Sequence, residues 1–432
     1  MRKSYVQLRQ EVSYDGLLSK LRTDFGEIKD HRGKNVSYSL PDVLLSAYAM
    51  FSLKYGSLLD FEKQSKADRA NLHEIFGIKQ LCSDAQMRSI LDEVPYQQVE
   101  GVFDYSYDLL GHLGLRKDYE YLGKHLIITV DGVEFFRSEK IRCANCCTKK
   151  HRDGKTSYAH SMLSAVLVHP DRSAVFPIAS EPIQKQDGVE KNDCELNAAK
   201  RLLDKLSEKY ARQPLLLVED ALYSNAPHLS QILANGWNFI VGVKPDSHKQ
   251  LFAQMQARIN NGTIQSHSFV AQGVTHRFYW INNTTLNSSS SQRVNFLHYE
   301  QEKKGKITRF SWVTSLPLHA RGVEAIMRAG RARWKIENET FNTLKNQGYH
   351  FEHNYGHGYK HLSNTLAFLM MIAFLFDQII QVCNSYFQRI WAALKTKSKI
   401  WTVVRSLFMT ELFYSFNEIY LKIADLFEVK LE

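Results

Sequence analysis

The spacing of hydrophobic residues changes along the chain, and the first change comes near residue 115. Before it, LPDVLLSAYAMFSLKYGSLLDFEKQ and LCSDAQMRSILDEV carry apolar residues at helical intervals. Pro41 stands near the start of the first segment, and Ser83 is a candidate N-cap of the second. The pattern therefore predicts a helical N-terminal domain over residues 1–115.

Short apolar runs alternate with amphipathic segments in the next part of the chain, residues 116–248. The apolar run in HLIITVDGVEFF, which reaches Asp131, predicts a strand that ends there, and TSYAHSMLSAVLVHP and SAVFPIASEPI predict two more, with a hairpin turn at RDGK before the first of these. DCELNAAKRLLDKLSEKY predicts a helix, and QPLLLVEDALYSN, APHLSQILANGW and NFIVGVKP then predict a strand, a helix and a strand. This succession is typical of a mixed α/β sheet.

Three further segments complete the chain. Residues 249–318 hold antiparallel-type runs and the polar loop NNTTLNSSSSQ, which predict a β-rich insert. Residues 319–380 begin with GVEAIMRAGRARWKIENETFNTLKNQG, which predicts one helix with Gly348 as its C′ residue. The apolar run LAFLMMIAFLF, 366–376, is shorter than the roughly 20 residues that a bilayer requires, so it predicts a buried core helix. Residues 381–432 predict a helical tail.

Two aspartates follow strands of the buried type. Asp131 comes after LIITV and Asp220 after LLLVE, runs that suit the centre of a sheet covered on both faces. Functional groups in open α/β sheets cluster at the carboxyl ends of such strands, so we expect the two carboxylates side by side. Neighbouring carboxylates repel unless they share a proton or bind a cation, and oxygen ligands suit Mg²⁺ or Mn²⁺. The alternative is that each aspartate only ends its strand. Tyr223 and Ser224, just after Asp220, could contact DNA, but polar residues at strand ends are common without such a role.

A glutamate interrupts the apolar stripe of the segment before Gly348. The stripe is formed by Val323, Met327, Gly330, Trp334, Phe341 and Leu344. Position 337 fills its gap, which predicts that Glu337 faces the protein and that Glu339 faces solvent. A buried carboxylate costs several kcal/mol unless it is paired or bound to a metal. Glu337 is therefore either a third metal ligand or the buried partner of Arg333, one turn earlier.

Composition and charge narrow the class of protein. The 432 residues are 44% hydrophobic and 12% aromatic, which is enough to bury a sizeable core. The net charge of +10 favours an acidic partner, with nucleic acid before an anionic membrane surface. The first residues hold no apolar signal-peptide centre, so the sequence predicts a protein of the cytoplasm.

Cations crowd the segment around Glu337. They are Arg321, Arg328, Arg331, Arg333, Lys335 and Lys345. A run of this kind usually forms a solvated face, but beside a metal-binding carboxylate it also suits a phosphate backbone.

Clusters of cysteine and histidine give weaker signals. CANCCTKKH places Cys143, Cys146 and Cys147 near His151, which is compatible with a structural zinc ion. A second pair of ligands at suitable spacing is missing from the sequence, although His160 could contribute, so reduced loop thiols are the favoured interpretation. The later stretch YHFEHNYGHGYKH predicts a histidine-rich loop, for which contact with DNA or support of the site is favoured over a metal site.

Three stretches in order, TVDGVEFF, LLLVEDALYS and RWKIENETFNTLKNQGYHFEHNYGHG, resemble the DDE transposases of bacterial insertion sequences. The resemblance covers about residues 40–380 and is closest for the insertion-sequence-family-four-like branch. It implies the fold class: an α/β, RNase H-like mixed sheet with helices on both faces, interrupted by a β-rich insert, plus an N-terminal helical domain.

The same resemblance implies roles for particular residues. Asp131, Asp220 and Glu337 would form the catalytic, metal-binding triad. The predicted DNA-binding residues are Arg333, Lys345, Arg331 and Lys335. Two positions depart from the family pattern: relatives often have a tyrosine where this chain has Gly330, and their lysine commonly stands seven residues after the glutamate, whereas Lys345 is the eighth.

The implied activity is metal-dependent chemistry on the DNA backbone. Three carboxylates can hold two Mg²⁺ or Mn²⁺ ions, which can serve both ends of an in-line displacement without a covalent protein nucleophile. The expected enzyme cuts transposon ends and transfers the freed 3′-OH to target DNA. It would act as a homodimer on DNA, associated with the nucleoid and not with a membrane.

Two other functions stay open at this point. One is an RNase H-like nuclease that cuts DNA without strand transfer. The other is a transposase-derived DNA-binding protein that has lost catalysis. In the leading interpretation, residues 1–115 bind the transposon end.

Overall fold

The structure is a computed structural model that describes residues 3–185, 195–288 and 290–431. Asp193 and Cys194, which begin the predicted helix DCELNAAKRLLDKLSEKY, lie outside the described residues.

Helices form the N-terminal part of the molecule. They are α1 (Tyr5–Gln10), α2 (Tyr14–Glu27), α3 (Leu40–Ser52), α4 (Leu58–Glu74), α5 (Asp84–Leu91), α6 (Gly101–His112) and α7 (Leu115–Asp118). Pro41 lies in the first turn of α3. Ser83 is the N-cap of α5, as predicted, and forms a capping box with Gln86. Lys54 adopts a φ of 61°, which ends α3 and divides the long helical pattern into two helices.

The sheet begins directly after these helices. Its first strands, in chain order, are β1 (Glu120–Tyr121), β2 (His125–Ser138), β3 (Cys147–Lys150), β4 (Thr156–His169), β5 (Arg172–Ile183), β6 (Leu215–Glu219) and β7 (Asn238–Gly242). Helix α8 (Glu195–Tyr210) lies between β5 and β6 in the chain, and helix α9 (Ala226–Ala234) lies between β6 and β7. β5, β4 and β2 are antiparallel neighbours, and β6 and β7 follow β2 in parallel. All five residues of β6 are buried. Because side chains alternate between the faces of a strand, both faces of the sheet are covered. The predicted mixed α/β sheet with helices on both faces is therefore confirmed.

The β-rich insert is also present, and it extends the same sheet. Its elements are α10 (Lys249–Asn260), β8 (Gln265–Ala271), β9 (Val274–Thr285), β10 (Arg293–Lys303) and β11 (Lys306–Thr314). The four strands follow one another as antiparallel neighbours, and β11 pairs with the end of β7. The insert thus prolongs the sheet at its β7 edge.

The segment that carries Glu337 is not the single helix that the sequence predicted. It consists of α11 (Val323–Arg331), a π-helix (Ile336–Phe341) and α12 (Asn342–Asn346). Gly348 follows the C-cap Gln347 with a φ of 96°, as expected of a C′ residue.

The C-terminal part consists of α13 (Leu362–Cys383), α14 (Ser385–Leu394), α15 (Lys397–Thr410) and α16 (Phe416–Leu426). By length and composition α13 could cross a membrane, but 89% of its most apolar stretch is buried. It packs against α3 and β5, so the predicted core helix is confirmed.

A buried ion pair joins the N-terminal and C-terminal helices. Lys54 Nζ lies 2.6 Å from Asp377 Oδ2, and its charge also faces the rings of Tyr349 and Trp401. Tyr349 donates a hydrogen bond to the same carboxylate. These contacts offset the cost of burying two charges.

Candidate active site

Asp131 and Asp220 lie at the point where the parallel pairing of β2 and β6 ends. The ladder between the two strands stops at Thr129 and Val218. Asp220 directly follows β6, as predicted, whereas Asp131 lies inside β2, which continues to Ser138 as the partner of β4. The prediction that Asp131 ends its strand is therefore wrong, although the two aspartates still share one edge of the parallel pairing.

Local hydrogen bonds fix both carboxylates. Asp131 Oδ1 accepts a hydrogen bond from the N–H of Gly132 at 2.9 Å. Asp220 Oδ1 accepts one from the N–H of Leu222 at 2.8 Å and so caps the short turn Ala221–Tyr223. Each aspartate keeps further oxygen lone pairs for another partner.

Arg333 joins the third carboxylate to the first. Its Nη1 lies 3.0 Å from Asp131 Oδ2 and 2.7 Å from Glu337 Oε1. Since both oxygens lie within 3.0 Å of one nitrogen, they are within about 6 Å of each other. The ion pair of Arg333 with Glu337, offered by the sequence as an alternative to metal binding, thus exists and forms part of the same cluster.

The charges of Asp220 and Glu337 affect the pKa of Asp131. Burial raises the pKa of Asp131 to about 6, and the negative charges of Glu337 and Asp220 act in the same direction. Arg333 and the N–H of Gly132 oppose this rise. Asp131 therefore lies where a second positive charge would be favourable.

The predicted orientation of Glu337 is wrong. Its side chain is 49% exposed, and Trp334, on the same predicted stripe, is 50% exposed. Glu339 is half-buried, and its charge reaches Lys397. The count of 3.6 residues per turn fails because α11 ends at Arg331 and a π-helix follows, which changes the angle between successive side chains.

The other predicted DNA-binding residues occupy different surroundings. Arg331 lies over the rings of Phe310 and Trp334. Lys335 donates to the carbonyl of Arg172 at 2.7 Å, and Lys345 pairs with Glu352 at 2.7 Å. Of the predicted set, Arg333 is the residue that bridges the carboxylates.

Tyr223 and Ser224 are buried, which contradicts the expectation of direct contact with DNA. The hydroxyl of Tyr223 donates to Glu195 Oε1 at 2.7 Å. Glu195 also stands against Gly132, where an added Cβ would lie 2.9 Å from its carboxyl group. Sequence reasoning missed Glu195 as a fourth carboxylate next to Asp131. Its position in the first turn of an ordinary amphipathic helix gave no signal.

Gly330 explains one departure from the family pattern. A Cβ at this position would lie 2.7 Å from the indole of Trp312. The insert strand β11 thus packs directly on α11, and a tyrosine would not fit in this arrangement.

A groove beside Asp220 is lined by cationic and aromatic side chains. Lys244, Arg309, Phe310, Trp312, Arg331, Arg333 and Trp334 contribute to its wall. The groove runs between the insert and the edge of the sheet that carries Asp220, so a polyanion in it would lie against the carboxylate cluster.

Comparison with known proteins gives a family. The sequence matches the family described as "Transposase DDE domain" over residues 149–375, more than half of the chain. This span contains Asp220 and Glu337 and begins after Asp131. Among solved structures, the chain is similar to the "Cryo-EM structure of piggyBac transposase synaptic complex with hairpin DNA (SNHP)", at 10% identity and a TM-score of 0.38, over 98% of this chain and 80% of that chain. A search of curated proteins found no match.

Proposed function

Since the chain belongs to the transposase DDE domain family, we propose that it cuts DNA at the ends of a mobile element and transfers the freed 3′-OH to target DNA. We further propose that the element is a bacterial insertion sequence of the family-four-like branch. The β-rich insert between Asp220 and Glu337 supports this finer assignment.

The observation that carries the proposal is the carboxylate cluster around Arg333. Asp131, Asp220 and Glu337 come from β2, the end of β6 and the π-helix, which are far apart in sequence. One guanidinium contacts two of them, and the charges of Glu337 and Asp220 both raise the pKa of Asp131. A merely structural ion pair would not need three carboxylates on an accessible rim of the sheet.

The donor set fits hard divalent cations. Carboxylate oxygens are the ligands that Mg²⁺ and Mn²⁺ prefer. Burial, with smaller contributions from the charges of Glu337 and Asp220, raises the pKa of Asp131, so a bound cation would stabilise its ionised form. We propose that Asp131, Asp220 and Glu337 hold two such ions. Bound ions supply Lewis-acid stabilisation of charge on the phosphate and on its leaving oxygen.

The protein itself orients the DNA backbone in this proposal. Arg333 exchanges its carboxylate partners for a phosphate oxygen when DNA is bound, since guanidinium groups bind carboxylate and phosphate in the same geometry. Arg331 and the exposed ring of Trp334 offer a cation and a stacking face in the adjoining groove. Lys335 and Lys345 complete the proposed DNA-binding set from the outer side of the segment.

The remaining parts of the chain receive proposed roles by position. Residues 1–115 bind the transposon end, and residues 116–248 and 319–380 form the catalytic domain around the insert 249–318. Residues 381–432 form a tail whose helices pack on the N-terminal helices. The partners are transposon-end DNA and target DNA, bound by a homodimer in the cytoplasm at the nucleoid.

The test uses DNA that carries the ends of the element. Inverted repeats beside the gene define these ends, and labelled duplexes that contain them are incubated with the full-length protein and Mg²⁺. We expect nicking at the end, and joining to a plasmid when the duplex has a pre-cut 3′-OH. Asp220→Asn should abolish both reactions and retain DNA binding, whereas Glu134→Gln, a change at a partly exposed side chain of β2, should retain all three activities.

Other outcomes would favour the alternatives. Cutting without joining of the pre-cut end would point to a nuclease. End binding by wild-type protein without cutting in Mg²⁺ or Mn²⁺ would point to a DNA-binding protein without catalysis. Full activity of Asp220→Asn would contradict the assignment of the carboxylates.

A further inference from the structure

A second cluster of ligand-type side chains lies apart from the carboxylates. It consists of Cys143, Cys146, His160 and His357, whose ligand atoms all lie within 4.8 Å of one another. The cysteines belong to the connection between β2 and β3, His160 belongs to β4, and His357 belongs to the loop between α12 and α13. Three segments of the chain thus meet at this cluster, and His357 is 211 residues from Cys146 in sequence.

The distances between these atoms are those of a tetrahedral site. The two sulfurs are 3.8 Å apart. His160 Nε2 lies 3.4 Å from Cys143 Sγ and 3.5 Å from Cys146 Sγ, and His357 Nε2 lies 3.2 Å from Cys146 Sγ. A tetrahedron with Zn–S near 2.3 Å and Zn–N near 2.1 Å has edges of about 3.8 Å between sulfurs and about 3.6 Å between sulfur and nitrogen.

The surroundings orient the ligands toward a common centre. Cys146, His160 and His357 are buried, and Phe136 packs against both imidazoles. His357 Nδ1 donates to the carbonyl of Gly358 at 2.8 Å, which leaves Nε2 unprotonated and free to bind a metal. An apolar wall around two thiols and two imidazoles favours one shared partner over four separate polar groups.

Cys147 and His151, which the sequence analysis grouped with Cys143 and Cys146, have other partners in the structure. Cys147 donates to the carbonyl of Ile183 at 3.5 Å. The imidazole of His151 lies 2.7 Å from the hydroxyl of Ser157. The second pair of ligands that the local spacing lacked comes instead from His160 and from His357.

We propose that Cys143, Cys146, His160 and His357 bind one structural Zn²⁺ ion. Two thiolates and two imidazoles at tetrahedral distances select zinc among common divalent ions. Four protein ligands close the coordination, so the site has no open position for chemistry. The ion fixes the loop after the Glu337 segment to β4 and to the end of β2, and it does so whether or not the carboxylate cluster cuts DNA.

The experiment measures zinc in the full-length protein. Wild type, Cys143→Ser, His357→Ala and the control Cys147→Ser are purified without chelators from a zinc-supplemented culture, and metal content is determined by mass spectrometry. We expect about one zinc per chain in wild type and in Cys147→Ser, as for a closed four-ligand site, and a large loss in the other two variants. Removal of zinc from wild type should lower its Tm, and added Zn²⁺ should restore it.

A cobalt titration keeps the test decisive if a variant fails to fold. Zinc-free wild type should bind one Co²⁺ with the strong visible bands of tetrahedral coordination and a thiolate-to-cobalt band. Three results would overturn the proposal: wild type without zinc and without these bands, unchanged zinc in Cys143→Ser and His357→Ala, or a disulfide between Cys143 and Cys146 in the purified protein.

Discussion

Replacing Asp131 with asparagine should stabilise the metal-free protein at neutral pH. Burial, together with the charges of Glu337 and Asp220, raises the pKa of Asp131 from its ordinary 3.8 to about 6, despite the opposing Arg333. The native protein therefore holds a proton at Asp131 more tightly than the unfolded chain does. The contribution of Asp131 to the free energy of unfolding therefore falls as pH rises from about 4 to about 6 and then stays level. The difference in pKa corresponds to about 3 kcal/mol, since one pKa unit is worth about 1.4 kcal/mol.

Asparagine has nearly the same size as aspartate but cannot ionise. Asp131→Asn should therefore unfold with a free energy up to about 3 kcal/mol above wild type at pH 7.5, and this advantage should disappear near pH 4. Urea denaturation followed by tryptophan fluorescence, in buffers freed of divalent cations, measures both values. Added Mg²⁺ should reduce the advantage, because Mg²⁺ stabilises the wild-type carboxylate set by binding to it.

The matched control is Glu134→Gln on the same strand. Glu134 is partly exposed and pairs with Arg137 at 2.6 Å, so its loss should change the free energy of unfolding by less than about 1 kcal/mol. Equal stability of wild type and Asp131→Asn at pH 7.5, or an advantage of Asp131→Asn that grows toward pH 4, would refute the reasoning.

Three further predictions test other parts of the structure. Glu337→Gln should abolish nicking of labelled end DNA because it removes a proposed ligand, whereas Glu339→Gln, whose charge reaches Lys397, should retain nicking; the reverse result would show that the wrong glutamate was assigned. Gly330→Ala should lower the free energy of unfolding by about 1–3 kcal/mol, because its Cβ would lie 2.7 Å from Trp312; an unchanged urea midpoint would contradict this packing. Lys54→Met should cost about 3–5 kcal/mol by leaving Asp377 buried and unpaired, and adding Asp377→Leu should recover part of the loss; a double variant no more stable than Lys54→Met would argue against the ion pair.

The parts of the site that lie on strands could be predicted from the sequence. A strand produces a local pattern in the sequence, and the apolar runs before Asp131 and Asp220 predicted that both residues follow central strands of the sheet. The parallel pairing of β2 with β6 then brings the two aspartates to one edge. The extension of β2 beyond Asp131 could not be predicted, because it depends on pairing with β4, which the run of apolar residues does not encode.

The prediction of the orientation of Glu337 failed for a different physical reason. The stripe argument assumes a regular α-helix, and a π-helix at Ile336–Phe341 invalidates that assumption. The sequence could not predict that Glu195 is a fourth carboxylate of the site or that His357 is the fourth ligand of the cysteine–histidine cluster. Glu195 contacts Gly132 and His357 contacts Cys146, and each pair is separated by more than 60 residues in sequence. Contacts between residues this far apart produce no periodic pattern in the sequence from which they could be predicted.

The two clusters are connected through the same pair of chain segments. β2 carries Asp131 and leads to Cys143, while the segment after α11 carries Arg333 and leads to His357. The segments meet at the ion pair of Asp131 with Arg333, again where the rings of Phe135 and Phe351 are 5.6 Å apart, and again at Cys146 and His357. An exposed glutamate on an irregular helix has little packing of its own to hold it. The contacts at both ends of these segments therefore determine how far Glu337 lies from Asp131, and a metal at the cysteine–histidine cluster would make the far contact rigid.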